Sequence, residues 1–260
     1  TIDLRLQNAA EEAFGDSVSG ALVALAPRNG EILALASLPC FDPNVFTHTM
    51  TPAEYDSLFL SPSKPLFNRA IQATYPPGST FKMLTALAGL ESGFTEFSRF
   101  SSCGGAYYFG GRPFKCWKAG GHGSLSVTDA IAQSCNVFFY QLGHAVGLEN
   151  WQKVGLELGF GQQTGIDLIG EVPGRLPTTE YYKNTNRYYS PGMMLNLSIG
   201  QGENDVTIIQ MARYIGIIAT EGIKARPHLI LGDAAQMEHV AGIRPESFRV
   251  VKNGMLKVVT

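Results

Sequence analysis

Ser79 stands three residues before Lys82 in "YPPGSTFK". A hydroxyl one helical turn from an amine can serve as a nucleophile beside its own base. On an α-helix, a rise of about 1.5 Å and a turn of about 100° per residue put both heads on nearly the same face. Pro76, Pro77 and Gly78 force a non-helical approach, so the spacing predicts a helix over Ser79 to about Ser92 that starts abruptly. Its first-turn N–H groups then point free above Ser79, where a developing oxyanion would need them. Taken alone, the same residues also describe an ordinary helix N-cap at Ser79 or Thr80.

A second polar cluster answers the first. Ser134 and Asn136, in "SCN", separate the apolar segments "VTDAIAQ" and "VFFYQLGHAV" about 55 residues after Ser79. Burying such groups between two helices is costly without hydrogen-bond partners. Each motif by itself reads as a cap, whereas the two together, in this order and about 55 residues apart, are much less expected by chance.

These residues need a scaffold. The apolar segments 18–26 and 31–37, joined by "PRNG", predict an antiparallel hairpin, since Asn-Gly is a strong hairpin signal. An amphipathic helix precedes them in "TIDLRLQNAAEEAF", and 39–65, rich in Pro, Ser and Thr, reads as irregular surface structure. Helices are expected over Val127–Gln133, Val137–Val146, 148–159, Val206 to about Thr220, and Glu246–Val259. Early strands with a helical middle imply a mixed α/β (α+β) domain with helices packed on an antiparallel sheet. The 260 residues, 45% hydrophobic with a formal net charge of −2, suit one substantial domain, and no basic stripe offers itself to a nucleic acid. No apolar run approaches the roughly 20 residues of a membrane span.

"YPPGSTFK", "GHGSLSVTDAIAQSCNVFFYQLG" and "LNLSIGQGENDVTIIQMARYIGIIATEG" resemble, in order, the transpeptidase domain of class B penicillin-binding proteins of the elongation type. The resemblance spans nearly the whole chain. It implies the fold shared with serine β-lactamases, with Ser79 attacking the penultimate D-Ala carbonyl of a peptidoglycan stem peptide to form an acyl-enzyme. An amine of a neighbouring stem then completes the cross-link, and β-lactams acylate the same serine. Lys82 is implied as base or proton shuttle; Ser134 and Asn136 relay protons and hold the substrate amide. The family's setting implies the periplasmic face of the bacterial inner membrane, and partners in the elongation machinery such as a glycosyltransferase. The "SIGQG" turn, 198–202, is implied as support near the acyl-enzyme.

The family's third motif, K-T-G or K-S-G, is absent; neither "KAGG" at 118 nor "KNG" at 252 sits in a strand pattern. We therefore expect residues 1–260 to be a transpeptidase domain lacking its C-terminal strands, with the family's N-terminal anchor and pedestal also absent, and impaired in catalysis as a fragment. A serine β-lactamase or β-lactam sensor is the nearest alternative, because "STFK" fits class D β-lactamases, but Asn136 and the lack of E-x-x-L-N favour the transpeptidase. A non-catalytic cell-wall assembly module is the alternative from another class.

Cys103, Cys116, His122 and Cys135 remain, in "CGGAYYFGGRPFKCWKAGGHG" and "SCN". Cys3His is a structural zinc set. A Cys103–Cys116 disulfide is the rival, favoured by an oxidising periplasm, and unrelated buried thiols the third reading. Zinc leads because one ion uses all four residues, while a disulfide leaves His122 and Cys135 unexplained. Such an ion would be structural, clamping the loop of Ser134 and Asn136 to the glycine-rich segment. Trp117, Tyr107, Tyr108 and Phe109 read as packing or groove lining; His48, His144, His228 and His239 read as structural or surface residues.

Overall fold

The computed structural model describes residues 2–15, 19–230 and 236–260. Helix α1 (Leu4–Phe14) is capped by Asp3, whose carboxylate accepts from the N–H groups of Arg5 and Leu6. Strands β1 (Gly20–Leu25) and β2 (Ile32–Leu38) form the expected antiparallel hairpin, with a register shift at Ala24/Leu25. Val18, where the first strand was expected to begin, lies outside the described residues. Strand β2 buries Ile32, Ala34, Ala36 and Leu38 on one face, the period-2 consequence of its alternation. Its outer edge is closed by α1. The Gln7 amide donates to Leu35 O at 3.1 Å and accepts from Leu35 N at 2.8 Å, so the exposed ladder is satisfied within the chain.

Residues 39–65 are more ordered than their composition predicts. A 3₁₀ turn (Pro43–Thr47), the short helix α2 (Pro52–Tyr55) and a π turn (Asp56–Leu60) follow one another. Proline opens both of the first two, where its fixed φ suits a helix start and its missing N–H costs nothing. A reciprocal Thr51–Glu54 capping box holds α2, and His48 pairs with the same Glu54 at 3.1 Å.

The helix expected from Ser79 begins instead as a 3₁₀ turn (Gly78–Phe81) and becomes α3 only at Lys82–Glu91. A hairpin that the sequence reading missed follows, β3 (Ala106–Phe109) and β4 (Arg112–Lys115), turned by the positive-φ pair Gly110–Gly111. Helix α4 (Val127–Ala132), capped by Ser126, leads into α5 (Asn136–Glu157). Helix α5 contains both expected helices, divided at Gly147, whose φ of 73° and ψ of 167° are non-helical. Helices α6 (Thr179–Asn184) and α7 (Pro191–Leu197) were not foreseen; α8 (Ile208–Ala219), the small ladder β5 (Ile223–Ala225) with β6 (Met237–His239), and α9 (Pro245–Leu256) complete the order.

The main core lies among α3, α4, α5, α7, α8 and α9. Its centre beneath the nucleophile turn is aromatic: Phe81 is fully buried, with ring centroids 4.6 Å from Phe160, 6.1 Å from Trp151 and 6.2 Å from Tyr214. Burying one such phenylalanine stabilises by about 3 kcal/mol, so Phe81, lying between Ser79 and Lys82, anchors both. Helix α9 is fastened to α3 by Glu91, which accepts from Arg244 Nε at 3.1 Å and from the Ser247 hydroxyl. "KNG" at 252 lies inside α9, and Lys252 pairs with Glu221.

Candidate active site

The turn that carries Ser79 is shaped by a neighbouring backbone. Gly78 N–H donates to Gly200 O at 2.9 Å, and a Cβ at Gly200 would run into Gly78 O. Both residues have positive φ, 59° and 73°, a conformational demand for glycine that Gly200 meets together with the steric one. The "SIGQG" turn thus sets the backbone directly before Ser79. Tyr75 N–H and O bond Val206 on the approach, and the Tyr214 hydroxyl reaches Thr80 O at 3.4 Å. From below, Thr85 donates to Ser198 O at 2.8 Å while accepting from Trp151 Nε1 at 3.0 Å. The Ser79 side chain itself is exposed and makes no hydrogen bond among the described residues.

Lys82 is 2% exposed, and its ammonium reaches three acceptors: Ser134 O at 2.8 Å, Ser134 Oγ at 3.0 Å and Asn136 Oδ1 at 2.6 Å. The sequence expectation that the Ser79 and Lys82 heads meet is replaced by a finer arrangement. Lys82 rests on the second motif and leaves the Ser79 hydroxyl open. Burial lowers the Lys82 pKa from 10.5 to about 8, partly offset by the nearby Cys116 and Cys135 sulfurs. An amine so poised has a sizeable neutral fraction near neutral pH, as a general base requires.

Ser134 sits in an unusual backbone. Its N–H bonds Ile131 O and the Cys135 N–H bonds Ala130 O, both at 3.0 Å, which is the Schellman ending of α4. The residue at that position needs a left-handed conformation, and Ser134 has φ of 47°. Glycine is the usual occupant, and a serine there costs roughly 1 kcal/mol. The site accepts this because a hydroxyl must project at Lys82. Asn136 begins α5 immediately afterwards and donates its amide to Lys115 O at 3.3 Å, tying it to the end of β4.

Cys103, Cys116, His122 and Cys135 converge on the far side of the same turn, with their ligand atoms all within 4.8 Å of one another. All four cysteines of the chain are free thiols. His122 Nδ1 lies 3.4 Å from Cys116 Sγ and 3.7 Å from Cys103 Sγ. The loops close around this point by backbone contact. Cys103 pairs with Gly123 in a two-bond bridge, and a Cβ at Gly121 would run into Cys103 O. Burial opposes ionisation of Cys116, but backbone N–H groups of Val137, Lys118 and Asn136 outweigh it and lower its pKa. Burial and the neighbouring thiols push Cys135 up to about 12, and burial lowers the His122 pKa. A neutral imidazole, a favoured thiolate and two more sulfurs within reach of one point suit a tetrahedral thiophilic cation, whose ligand–ligand edges would be about 3.8 Å.

Sequence reading singled out Trp117 but missed the anchored N–H beneath its exposed ring, and missed the Gly78–Gly200 contact, for which the glycines were the only signal. Of the four aromatics singled out, Phe109 packs edge-on against His144 and near Tyr107, while Tyr108 projects outward. His228 is buried, and its carbonyl accepts from Ile32 N.

A serine on a helix start, with a buried lysine facing a Ser-x-Asn turn, is an arrangement that suits acyl transfer. A family model for the penicillin binding protein transpeptidase domain matches residues 20–260, and the chain belongs to that family. Within it the likeness is to the elongation-type PBP2/MrdA proteins. The chain is 35% identical over 248 residues to the peptidoglycan D,D-transpeptidase MrdA of Escherichia coli (strain K12), covering 94% of this chain and 39% of that protein. The Acinetobacter baumannii MrdA is 37% identical over 233 residues, covering 88% and 34%. Among solved structures, the complex of PBP2 with MreC from Helicobacter pylori superposes with a TM-score of 0.93 at 31% identity, covering all of this chain and 49% of that one. Pseudomonas aeruginosa PBP2 in complex with WCK 5153 gives 0.89 at 36%, covering 99% and 58%. The chain thus spans between a third and two-fifths of the length of these two curated relatives. No described helix is long and apolar enough to cross a membrane.

Proposed function

We propose that the protein to which this chain belongs is a serine D,D-transpeptidase that cross-links peptidoglycan stem peptides and is acylated by β-lactams at Ser79. The observation that carries this reading is the Lys82 amine, buried and held within 3.0 Å of both Ser134 Oγ and Asn136 Oδ1 beside an open, exposed serine. In the proposed sequence, neutral Lys82 takes the Ser79 proton as Ser79 Oγ forms a bond to the penultimate D-Ala carbonyl carbon. First-turn N–H groups stabilise the oxyanion. The proton passes through Lys82 and Ser134 to the departing D-Ala nitrogen as the peptide bond breaks, leaving an ester on Ser79. Asn136 Nδ2 orients the substrate amide. The amine of a second stem then attacks the ester carbonyl, returns its proton along the same relay, and frees Ser79.

Cys103, Cys116, His122 and Cys135 are proposed to hold a structural zinc ion that lends rigidity to the Ser134–Asn136 turn and takes no part in the chemistry. The likeness to PBP2 proteins, one of them solved with MreC, supports partners in cell-wall elongation and a place at the periplasmic face of the inner membrane.

The test is covalent labelling of the full-length protein with a fluorescent penicillin, followed by peptide mass spectrometry. Wild type should carry one label on Ser79 and Ser79→Ala none. Undiminished covalent labelling of Ser79→Ala would falsify the assignment.

A further inference from the structure

Trp117 is among the most exposed large side chains of the molecule, at 65%, yet its one polar atom is turned inward. The indole Nε1–H lies 3.1 Å from Gln133 O and 3.1 Å from Ser134 O. These two carbonyls close helix α4 and flank the left-handed position that Ser134 occupies. A helix end leaves such carbonyls without intrahelical partners, and here one donor spans both. Ser134 O also accepts from Lys82 Nζ. Trp117 and Lys82 therefore hold the same carbonyl, one from the solvent side and one from the buried side.

The ring is itself braced. It stands edge-to-face on His122 with centroids 5.1 Å apart, and Trp117 follows Cys116 directly in the chain. An exposed indole would otherwise sample several rotamers, but this one is fixed by the cysteine–histidine cluster on one side and by the two carbonyls on the other. Phenylalanine could keep the ring contact and could not make the bridge.

We infer that Trp117 is a positioning residue for acyl transfer: its indole N–H fixes the strained turn that aims the Ser134 hydroxyl at Lys82, and the cluster holds Trp117 in place to do so. The inference rests on the transpeptidase reading. Trp117 touches no reacting atom in this role, so its loss should slow the chemical step and leave reversible binding of the acylating agent unchanged.

The experiment is stopped-flow acylation of the full-length protein with a fluorescent penicillin, resolving the dissociation constant of the reversible complex from the acylation rate constant. Trp117→Phe should lower the rate constant by about tenfold, the worth of one or two lost hydrogen bonds, with the dissociation constant within about twofold. The cycle with Ser134→Gly identifies the route. With glycine at the left-handed position and no hydroxyl to aim, Trp117→Phe should cost little further rate, whereas independent effects would multiply. Should Trp117→Phe fold poorly, benzothienylalanine at 117 keeps the shape and deletes only the N–H, with the same outcome expected. A rate constant equal to wild type in either variant, a loss confined to the dissociation constant, or a full multiplicative loss in the cycle overturns the inference. Failure of the wild type to be acylated at Ser79 overturns the transpeptidase reading instead.

Discussion

Lys82 gives the sharpest pH prediction. With its pKa at about 8, about a tenth of the molecules carry a neutral amine at pH 7, against about 0.03% for a lysine left at 10.5. If neutral Lys82 is the base, burial is worth roughly 300-fold in the population able to react at pH 7. The second-order acylation constant with a fluorescent penicillin should climb about tenfold per unit below pH 7 and level off above about pH 9. The same shift has a stability consequence. The unfolded chain holds this proton up to about 10.5 while the folded one releases it near 8, so folding stability gains as pH rises between those values. The gain is about 3 kcal/mol in full, absent below pH 8. The clean measurement is the difference in urea unfolding free energy between wild type and Lys82→Met across pH 7 to 10, in which contributions common to both cancel. An acylation profile flat from pH 6 to 9, or one still rising at pH 10, would refute a burial-tuned amine as the base.

Two further perturbations follow from the geometry. Gly200→Ala should slow acylation by more than about tenfold and lower the melting temperature, because the added Cβ must displace the Gly78 carbonyl beside the nucleophile; an unchanged acylation constant would show that the turn can yield without moving Ser79. Full-length protein purified without chelators should hold about one zinc per chain by elemental analysis. Cys135→Ser should lose most of it and melt lower, whereas wild-type protein with no metal and two thiols inaccessible to titration would mean a Cys103–Cys116 disulfide.

The polar quartet of Ser79, Lys82, Ser134 and Asn136 was legible in the sequence because its spacing is local. Lys82 lies three positions after Ser79, and Asn136 two positions after Ser134, each pair at a helix boundary marked by prolines, glycine or an apolar-to-polar change. The β1–β2 hairpin was legible from its Asn-Gly turn and alternation for the same reason. The form of the nucleophile turn was not, since a 3₁₀ start at Gly78 is imposed by Gly200, 122 residues away in the chain. Nor was the direction of Lys82: helical periodicity placed it near Ser79, and only the approach of the α4–α5 junction draws it to Ser134 and Asn136. The β3–β4 hairpin was missed although Gly110–Gly111 is a turn signal, because each strand has only four residues, one with adjacent tyrosines and the other with Pro113, and neither alternates clearly. Helices α6 and α7 are only six and seven residues long and are held mainly by tertiary packing, which a propensity window does not see.

Residues 134 to 136 carry two tasks on one turn. Ser134 and Asn136 face Lys82, while Cys135 between them faces the other way into the cysteine–histidine cluster and caps α5 through its sulfur. Because Ser134 is left-handed and Asn136 opens a helix, the backbone has little freedom to turn one side chain without turning its neighbours. Rigidity supplied at Cys135 is therefore delivered at Lys82. This matters most for a base whose amine is desolvated: a buried lysine without firm acceptors would draw in water and recover its ordinary pKa. A loosened turn should accordingly return the acylation profile toward a higher pKa as well as slow it, so the brace and the poise of the base are one property seen from two sides of the same three residues.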